Sequence, residues 1–249
     1  MAIAKNKILK KKPAKTNHAP PPGQVLPYAA KYEKSVAAES FKILRTNLHF
    51  AIKFDQPRAI LVTSPSQMEG KTTVSSNLAV AFAASNYKVL LIDCDMRIPN
   101  LHRQFGMDNT QGLSLCLNGD LPLDQAIQPT SIANLHLLSS GPIPPNSSEL
   151  LGSEKMIQLL DELKKRFPVI IIDSPPVNIV ADTPIVSSLT DGVLLVVSAG
   201  NTTRRDLRKA MQSLEYCPVL GFILNVIRKG SEGYYYQSYY NRYYTSRSR

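Results

Sequence analysis

The sequence predicts a doubly wound α/β domain: a mostly parallel sheet with helices on both faces, flanked by disordered tails. Three observations carry that expectation. Short runs rich in Val, Ile and Leu recur at 59–63, 89–92, 135–138, 169–172, 193–197 and 220–226. These runs are continuously apolar instead of alternating, as befits strands buried on both faces. Helical stretches at 72–85, 149–166, 184–189 and 204–214 separate most of them, which is what crossover connections between parallel strands require.

Taken in order, residues 1–34 carry eight Lys against one Glu, a balance of +7, with Lys5, Lys7, Lys10, Lys11, Lys12 and Lys15 ahead of Pro20, Pro21, Pro22 and Pro27. That composition buries no core and reads as a disordered, partly polyproline-II arm suited to an anionic surface. From Ser35 the apolar residues Ala38, Phe41, Leu44, Leu48 and Ile52 fall at helical spacing, predicting a helix that ends near Lys53. The strand at 59–63 feeds the helix at 72–85, and the next strand ends at Asp93. Asn146 stands three residues before Glu149, the spacing of an N-cap and N3, and predicts the start of a long helix through 166. Another strand ends at Asp173. From Gly230 the composition collapses to Tyr, Ser, Arg and Asn, so the expected organisation is arm (1–34), catalytic domain (35–227) and tail (228–249).

The chain has 249 residues, a net charge of +10, three Cys and no Trp. Its charge is peripheral. Residues 228–249 hold five Lys or Arg against one Glu (+4), leaving sixteen basic and seventeen acidic residues (−1) at 35–227. A near-neutral core lacks the basic face of a nucleic-acid-binding domain, so no nucleic-acid partner is expected. Three Cys without CxxC spacing exclude a disulfide framework or a zinc ribbon. No apolar run reaches the ~18–20 residues of a membrane span and no signal peptide is visible, so a cytoplasmic location is expected.

The segment Ser64-Pro65-Ser66-Gln67-Met68-Glu69-Gly70-Lys71-Thr72-Thr73 joins a strand to a helix, the context of a phosphate-binding loop. Amides at a helix N-terminus donate to phosphate oxygens; Gly70 permits close backbone approach, Lys71 supplies charge, and Thr72 offers a hydroxyl to Mg²⁺. Pro65 stands where the first Gly of the usual motif belongs. Asp93 and Asp95 after one strand, and Asp173 after another, place carboxylates at the carboxyl edge where open α/β sheets bind ligands. Such groups suit Mg-triphosphate, holding the metal and accepting a proton.

The loop, together with Leu91-Ile92-Asp93-Cys94-Asp95-Met96-Arg97, resembles the Walker A and Walker A′ pair of bacterial tyrosine kinases, cytosolic regulators of capsule and exopolysaccharide export. The segment Gly141-Pro142-Ile143-Pro144-Pro145-Asn146-Ser147-Ser148-Glu149-Leu150-Leu151 resembles a further hallmark of that family, as does the tyrosine-rich end. The resemblance implies ATP and Mg²⁺ as cofactors, with Glu69, Gly70, Lys71, Thr72 and Thr73 around the nucleotide. It further implies Thr72, Asp93, Asp95 and Asp173 at the metal, Lys71, Asp93 and Asp95 in catalysis with Asp93 as the base, and Asn225 on the adenine edge. Glu39, Lys42 and Arg45 sit where the family has an E-x-x-R-x-x-R helix for subunit contacts, with Lys in place of the middle Arg. Gln67-Met68 replaces the usual Pro-Gly of the loop.

Seven tyrosines, Tyr234, Tyr235, Tyr236, Tyr239, Tyr240, Tyr243 and Tyr244, lie in the last 16 residues. Aromatics interleaved with Arg also stack on nucleic-acid bases, but clustered acceptors on a Gly-flanked tether suit autophosphorylation in trans. By resemblance the partners are further copies in a ring-like homo-oligomer, a transmembrane activator of the polysaccharide co-polymerase type, a cognate tyrosine phosphatase and exogenous protein substrates. That activator would recruit the chain to the inner face of the cell membrane. The rival reading is a partition or septum-positioning ATPase switch; those proteins carry an extra loop lysine where this chain has Ser66. A nucleotide-binding adaptor without catalysis is the other alternative, against which the intact Lys71, Thr72 and three aspartates stand.

Overall fold

The computed structural model describes residues 26–226. In chain order they form α1 (Tyr28–Lys31), α2 (Val36–Ala51), β1 (Arg58–Thr63), α3 (Lys71–Ala83), β2 (Val89–Asp93), α4 (Leu101–Gln104), α5 (Leu113–Asn118), α6 (Leu123–Ala126), β3 (Ile127–Pro129), β4 (Leu135–Leu138), α7 (Ser147–Leu151), α8 (Glu154–Arg166), β5 (Val169–Asp173), α9 (Asp182–Ser187), β6 (Gly192–Ser198), α10 (Arg204–Ser213) and β7 (Val219–Asn225). Among the described residues the strands make one seven-stranded sheet in the order β3-β4-β2-β5-β1-β6-β7. Only the β3–β4 pair is antiparallel. This is the doubly wound architecture of P-loop NTPases that the sequence predicts.

Strand alternation divides the apolar runs between two cores. Ala59, Leu61, Leu90, Ile92, Ile170, Ile172, Val193 and Leu195 face one side, against Leu160 and Leu163 of α8. Ile60, Val62, Val89, Leu91, Val169, Ile171, Leu194 and Val196 face the other, against Leu78 and Phe82 of α3 and Leu48 of α2. Each such side chain removed from water contributes about 1.5–3 kcal/mol, so both faces must be apolar and the runs cannot alternate. Helix α3 is buried almost all round because α2 covers the side turned away from the sheet.

Three expectations change. The arm was placed through residue 34, yet the chain joins the domain earlier: α1 buries Ala29, whose amide donates to Asn77 Oδ1 on α3 at 2.6 Å. Residues 1–25, with the lysine run, lie outside the described residues. The helix expected over 149–166 is two helices, because Gly152 ends α7 and the Ser153 hydroxyl accepts the Met156 amide to start α8 afresh. Asn146 precedes α7 but makes no capping bond. The short α4, α5, α6 and β3 carry too few residues for a periodic signal.

Two segments cross at Gly112, which is extended, and Gly141, which has φ +80°. A Cβ on Gly112 would lie 2.3 Å from both Gly141 N and Ser139 O, all backbone that cannot yield. Gly112→Ala is expected to cost about 2–3 kcal/mol, whereas Gly221→Ala, where a Cβ meets nothing within 4 Å, should change stability by less than about 0.5 kcal/mol. Urea denaturation midpoints of the two variants check this contrast.

Candidate functional site

Strands β1, β5 and β2 lie side by side and end together, with Val62 beside Asp173 and Asp173 beside Asp93. A parallel sheet points all its carboxyl ends to one edge, so residues far apart in sequence meet there. The chain leaves β1 into the loop at 64–70 and enters α3 at Lys71.

The loop is fixed from three directions. The Ser66 amide donates to Glu69 Oε2 at 3.0 Å, while the other Glu69 oxygen accepts the Thr202 hydroxyl from the turn after β6. Asn225, the last residue of β7, donates Nδ2 to the Glu69 carbonyl at 2.9 Å. Gly70 has φ +90°, and a Cβ there would lie 2.1 Å from Asn225 Nδ2; conformation and space both demand glycine. No side chain caps α3, so the amides that open this helix remain for an anion. Glu69 is buried and both its oxygens are committed, which makes it a brace inside the loop instead of a charge offered to a ligand. Met68, with φ 62°, points almost entirely into solvent.

Lys71 Nζ lies 3.1 Å from Asp95 Oδ2, and Asp95 Oδ1 accepts the Ile98 amide at 3.0 Å. Asp93 is fully buried, and its oxygens accept the amides of Asp95 (3.0 Å) and Leu101 (3.1 Å). Asp173 is equally buried, and its Oδ1 has no hydrogen-bond partner. Burial, and then the Asp173 charge on the neighbouring strand, push Asp93 well above the carboxylate range. Burial likewise raises Asp173, against the pull of Lys71 and of the Thr72 and Ser75 hydroxyls. Two buried carboxylates on adjacent strands, one with an orphaned oxygen, are a donor set short of a cation. Among the described residues no three acidic, His or Cys side chains form a complete ligand cluster. The orphaned Asp173 oxygen suits Mg²⁺, which takes one or two carboxylates and completes its shell with phosphate and water.

The structure therefore brings Glu69, Gly70, Lys71, Thr72, Thr73, Asp93, Asp95, Asp173 and Asn225 to one edge. It differs in what some of them do. Asp93 accepts an amide on each oxygen, and Asn225 gives one of its two side-chain N–H groups to the loop, with the other N–H and Oδ1 left over. On α2, Glu39 and Lys42 pair with each other at 3.0 Å, but Arg45 turns inward to the Ala81 carbonyl and the Ser85 hydroxyl of the α3 segment. The seven tail tyrosines lie outside the described residues. Sequence reasoning missed Thr202, which no local pattern marks, and Asp182, which reaches Arg97 across the edge.

The AAA domain family matches residues 68–215. Over 207 residues the chain is 41% identical to the tyrosine-protein kinase YwqD of Bacillus subtilis, covering 81% of this chain and 87% of that protein. The kinase domain of the Escherichia coli tyrosine kinase ETK superposes with a TM-score of 0.78 at 35% identity, covering 82% of this chain and 81% of that domain. The cell division ATPase MinD of Pyrococcus furiosus is more distant, with a TM-score of 0.60 at 29% identity over 70% of this chain and 73% of its own.

Raised carboxylates fix a sign for stability. The folded state keeps protons that the unfolded chain releases near pH 4, so this contribution is complete below that pH and is lost as pH rises toward about 8. Without nucleotide, the melting temperature should fall between pH 5.5 and 8.5. Asp173→Asn, which removes one of the two buried charges, should flatten that fall and melt at least about 3 °C higher than wild type at pH 8.5. Calorimetry at the two pH values checks both.

Proposed function

This chain is a tyrosine-protein kinase of the bacterial family, and from that footing we propose that it transfers the γ-phosphoryl group of ATP to Tyr234, Tyr235, Tyr236, Tyr239, Tyr240, Tyr243 and Tyr244 of a second copy, in control of capsular or exopolysaccharide synthesis and export. The observation that carries the reading is the convergence of Lys71, Thr72, Asp93, Asp95 and Asp173 on one sheet edge beside the free end of α3.

Nucleotide phosphates enter against the amides at the start of α3, in competition with Asp95 for Lys71. When Lys71 turns to the phosphates, Asp95 loses its counter-ion. The Thr72 hydroxyl and Asp173 would hold the magnesium that accompanies the nucleotide, which would supply neutralisation of phosphate charge. The phenolic oxygen attacks the γ-phosphorus, the bond to the β–γ bridging oxygen breaks, and ADP leaves with that electron pair. The phenolic proton passes late to the Asp93–Asp95 pair; each Asp93 oxygen keeps a lone pair beside the amide it accepts, and Asp93 serves as acceptor once the charge of the bound nucleotide complex displaces the proton that burial holds on the empty site. Because the transition state is loose, positioning and charge neutralisation outweigh the base.

The same reading places copies against one another through α2, where Glu39 and Lys42 face outward. Among the described residues no helix is long and apolar enough to cross a membrane, and a membrane-spanning activator would bring the chain to the inner face of the cell membrane. A tyrosine phosphatase would reset the tail, and other proteins would serve as further substrates.

Two variants separate chemistry from acceptor. Lys71→Met should keep an intact tail but no activity, and a variant with all seven tail tyrosines replaced by Phe should keep activity but no acceptor. Mixed with Mg-ATP and the activator's cytosolic segment, they should yield phosphotyrosine on the Lys71→Met tail alone, read by mass spectrometry. An unmodified tail in the mixture would overturn transfer in trans, and wild-type modification of Lys71→Met by itself would overturn the site.

A further inference from the structure

We propose that Arg97 and Asp182 are positioning residues for phosphoryl transfer: their ion pair, clasped by Ser147 and Ser148, sets the segment carrying Asp95 against the segment that follows Asp173. The inference rests on the assignment of Asp95 and Asp173 to the active site.

Arg97 lies two residues beyond Asp95 and meets Asp182 fork to fork, Nε to Oδ2 at 2.9 Å and Nη2 to Oδ1 at 3.0 Å. From α7, the Ser147 hydroxyl donates to Oδ2 at 3.2 Å and the Ser148 hydroxyl to Oδ1 at 2.5 Å. Asp182 is wholly buried while the Arg97 side chain is half exposed. Burial alone would raise Asp182; the Arg97 and Ser148 hydrogen bonds more than offset it, and the carboxylate is held below its ordinary range. A buried anion with four donors fixes geometry, because losing the fork leaves its charge uncompensated.

Between Asp93 and Leu101 the chain is irregular. Its start is tied to β5, because the Cys94 amide donates to the Asp173 carbonyl at 2.8 Å. Beyond that point the Asp95 amide on Asp93 and the Ile98 amide on Asp95 are bonds within the segment itself, and Arg97 carries its polar tie to the far side of the site. Across the edge, Thr183 donates to the Pro175 carbonyl at 2.7 Å, and the Val177 amide to the Ser64 carbonyl at 2.9 Å. Asp182 is thus anchored to the segment after β5 and, through it, to the base of the phosphate loop. Arg97 completes the circuit from Asp95 to that frame, and Lys71 follows Asp95. A displacement of about 1 Å in such groups costs on the order of 100-fold in rate. The circuit also gives a role to the segment 141–151, whose Ser147 and Ser148 serve Asp182 instead of capping their own helix.

The test compares Arg97→Gln and Arg97→Lys with wild type and with Lys71→Met, in full-length protein. Arg97→Gln should lower the rate of tail phosphorylation about 10- to 100-fold and raise the Mg²⁺ concentration needed for half-maximal rate. Its affinity for a fluorescent ADP analogue without Mg²⁺ should stay within about threefold of wild type, since the loop amides are untouched. Hydrogen exchange should quicken in the peptide spanning 94–101 and stay unchanged in β1 and β5. Arg97→Lys, a point charge without the fork, should fall between. A wild-type rate and Mg²⁺ requirement in Arg97→Gln would overturn the inference, as would a loss of rate accompanied by faster exchange throughout the sheet. Lys71→Met retaining activity would overturn the site and the inference together; Lys71→Met inactive beside a fully active Arg97→Gln would overturn the inference alone.

Discussion

Three carboxylates packed at one strand edge around a single lysine govern the rest of this structure. Asp93 and Asp173 are buried on neighbouring strands, and Asp95 is nearly so, with Lys71 as their near counter-ion. Burying charge without compensation costs several kcal/mol per ion. The chain meets that cost partly with hydrogen bonds, giving Asp93 two backbone amides and Asp95 one, and partly by raising proton affinity. What remains would favour a cation and the polyphosphate that accompanies it. The instability of the empty site and the capacity of the loaded one are the same electrostatic fact.

Rigidity around that edge comes from contacts between elements far apart in sequence. Glu69 links the phosphate loop to Thr202 beyond β6, and Asn225 links it to the end of β7. β6 pairs in parallel with β1 and β7 in parallel with β6, the latter with one register shift after Val193. The loop is therefore positioned by the sheet as a whole, and Gly70 is required because Asn225 occupies the space a side chain would fill.

The fold was legible in the sequence because its strands are apolar on both faces, and the six runs that announce them start and end within a residue or two of the observed strands. The loop and the strand-end aspartates were equally plain, since their chemistry is tied to local order: strand, turn, helix. What the sequence hid depends on distance across the fold. Glu69 reads as a charge beside phosphate until Thr202 is seen to take its oxygen, Arg45 reads as a surface cation until α3 draws it inward, and Asn146 reads as a cap although the serines after it serve Asp182. The division of one expected helix at Gly152 shows the opposite limit: a local signal was present, but apolar spacing running on to Leu163 masked it.

The similarity in fold to a cell division ATPase separates what the scaffold supplies from what decides the reaction. A phosphate loop with acidic strand ends activates a terminal phosphoryl group toward any oxygen nucleophile that arrives in line, so the product depends on whether water or a phenol reaches the edge. In this chain β7 ends at Asn225, against the loop itself, and the residues that follow hold seven tyrosines, the first eight positions beyond Val226. Under the proposed transfer in trans the phenol would come from a second copy, so the choice between water and tyrosine would rest on how copies meet at this edge, a property that the fold shared with ATPase switches leaves free to vary.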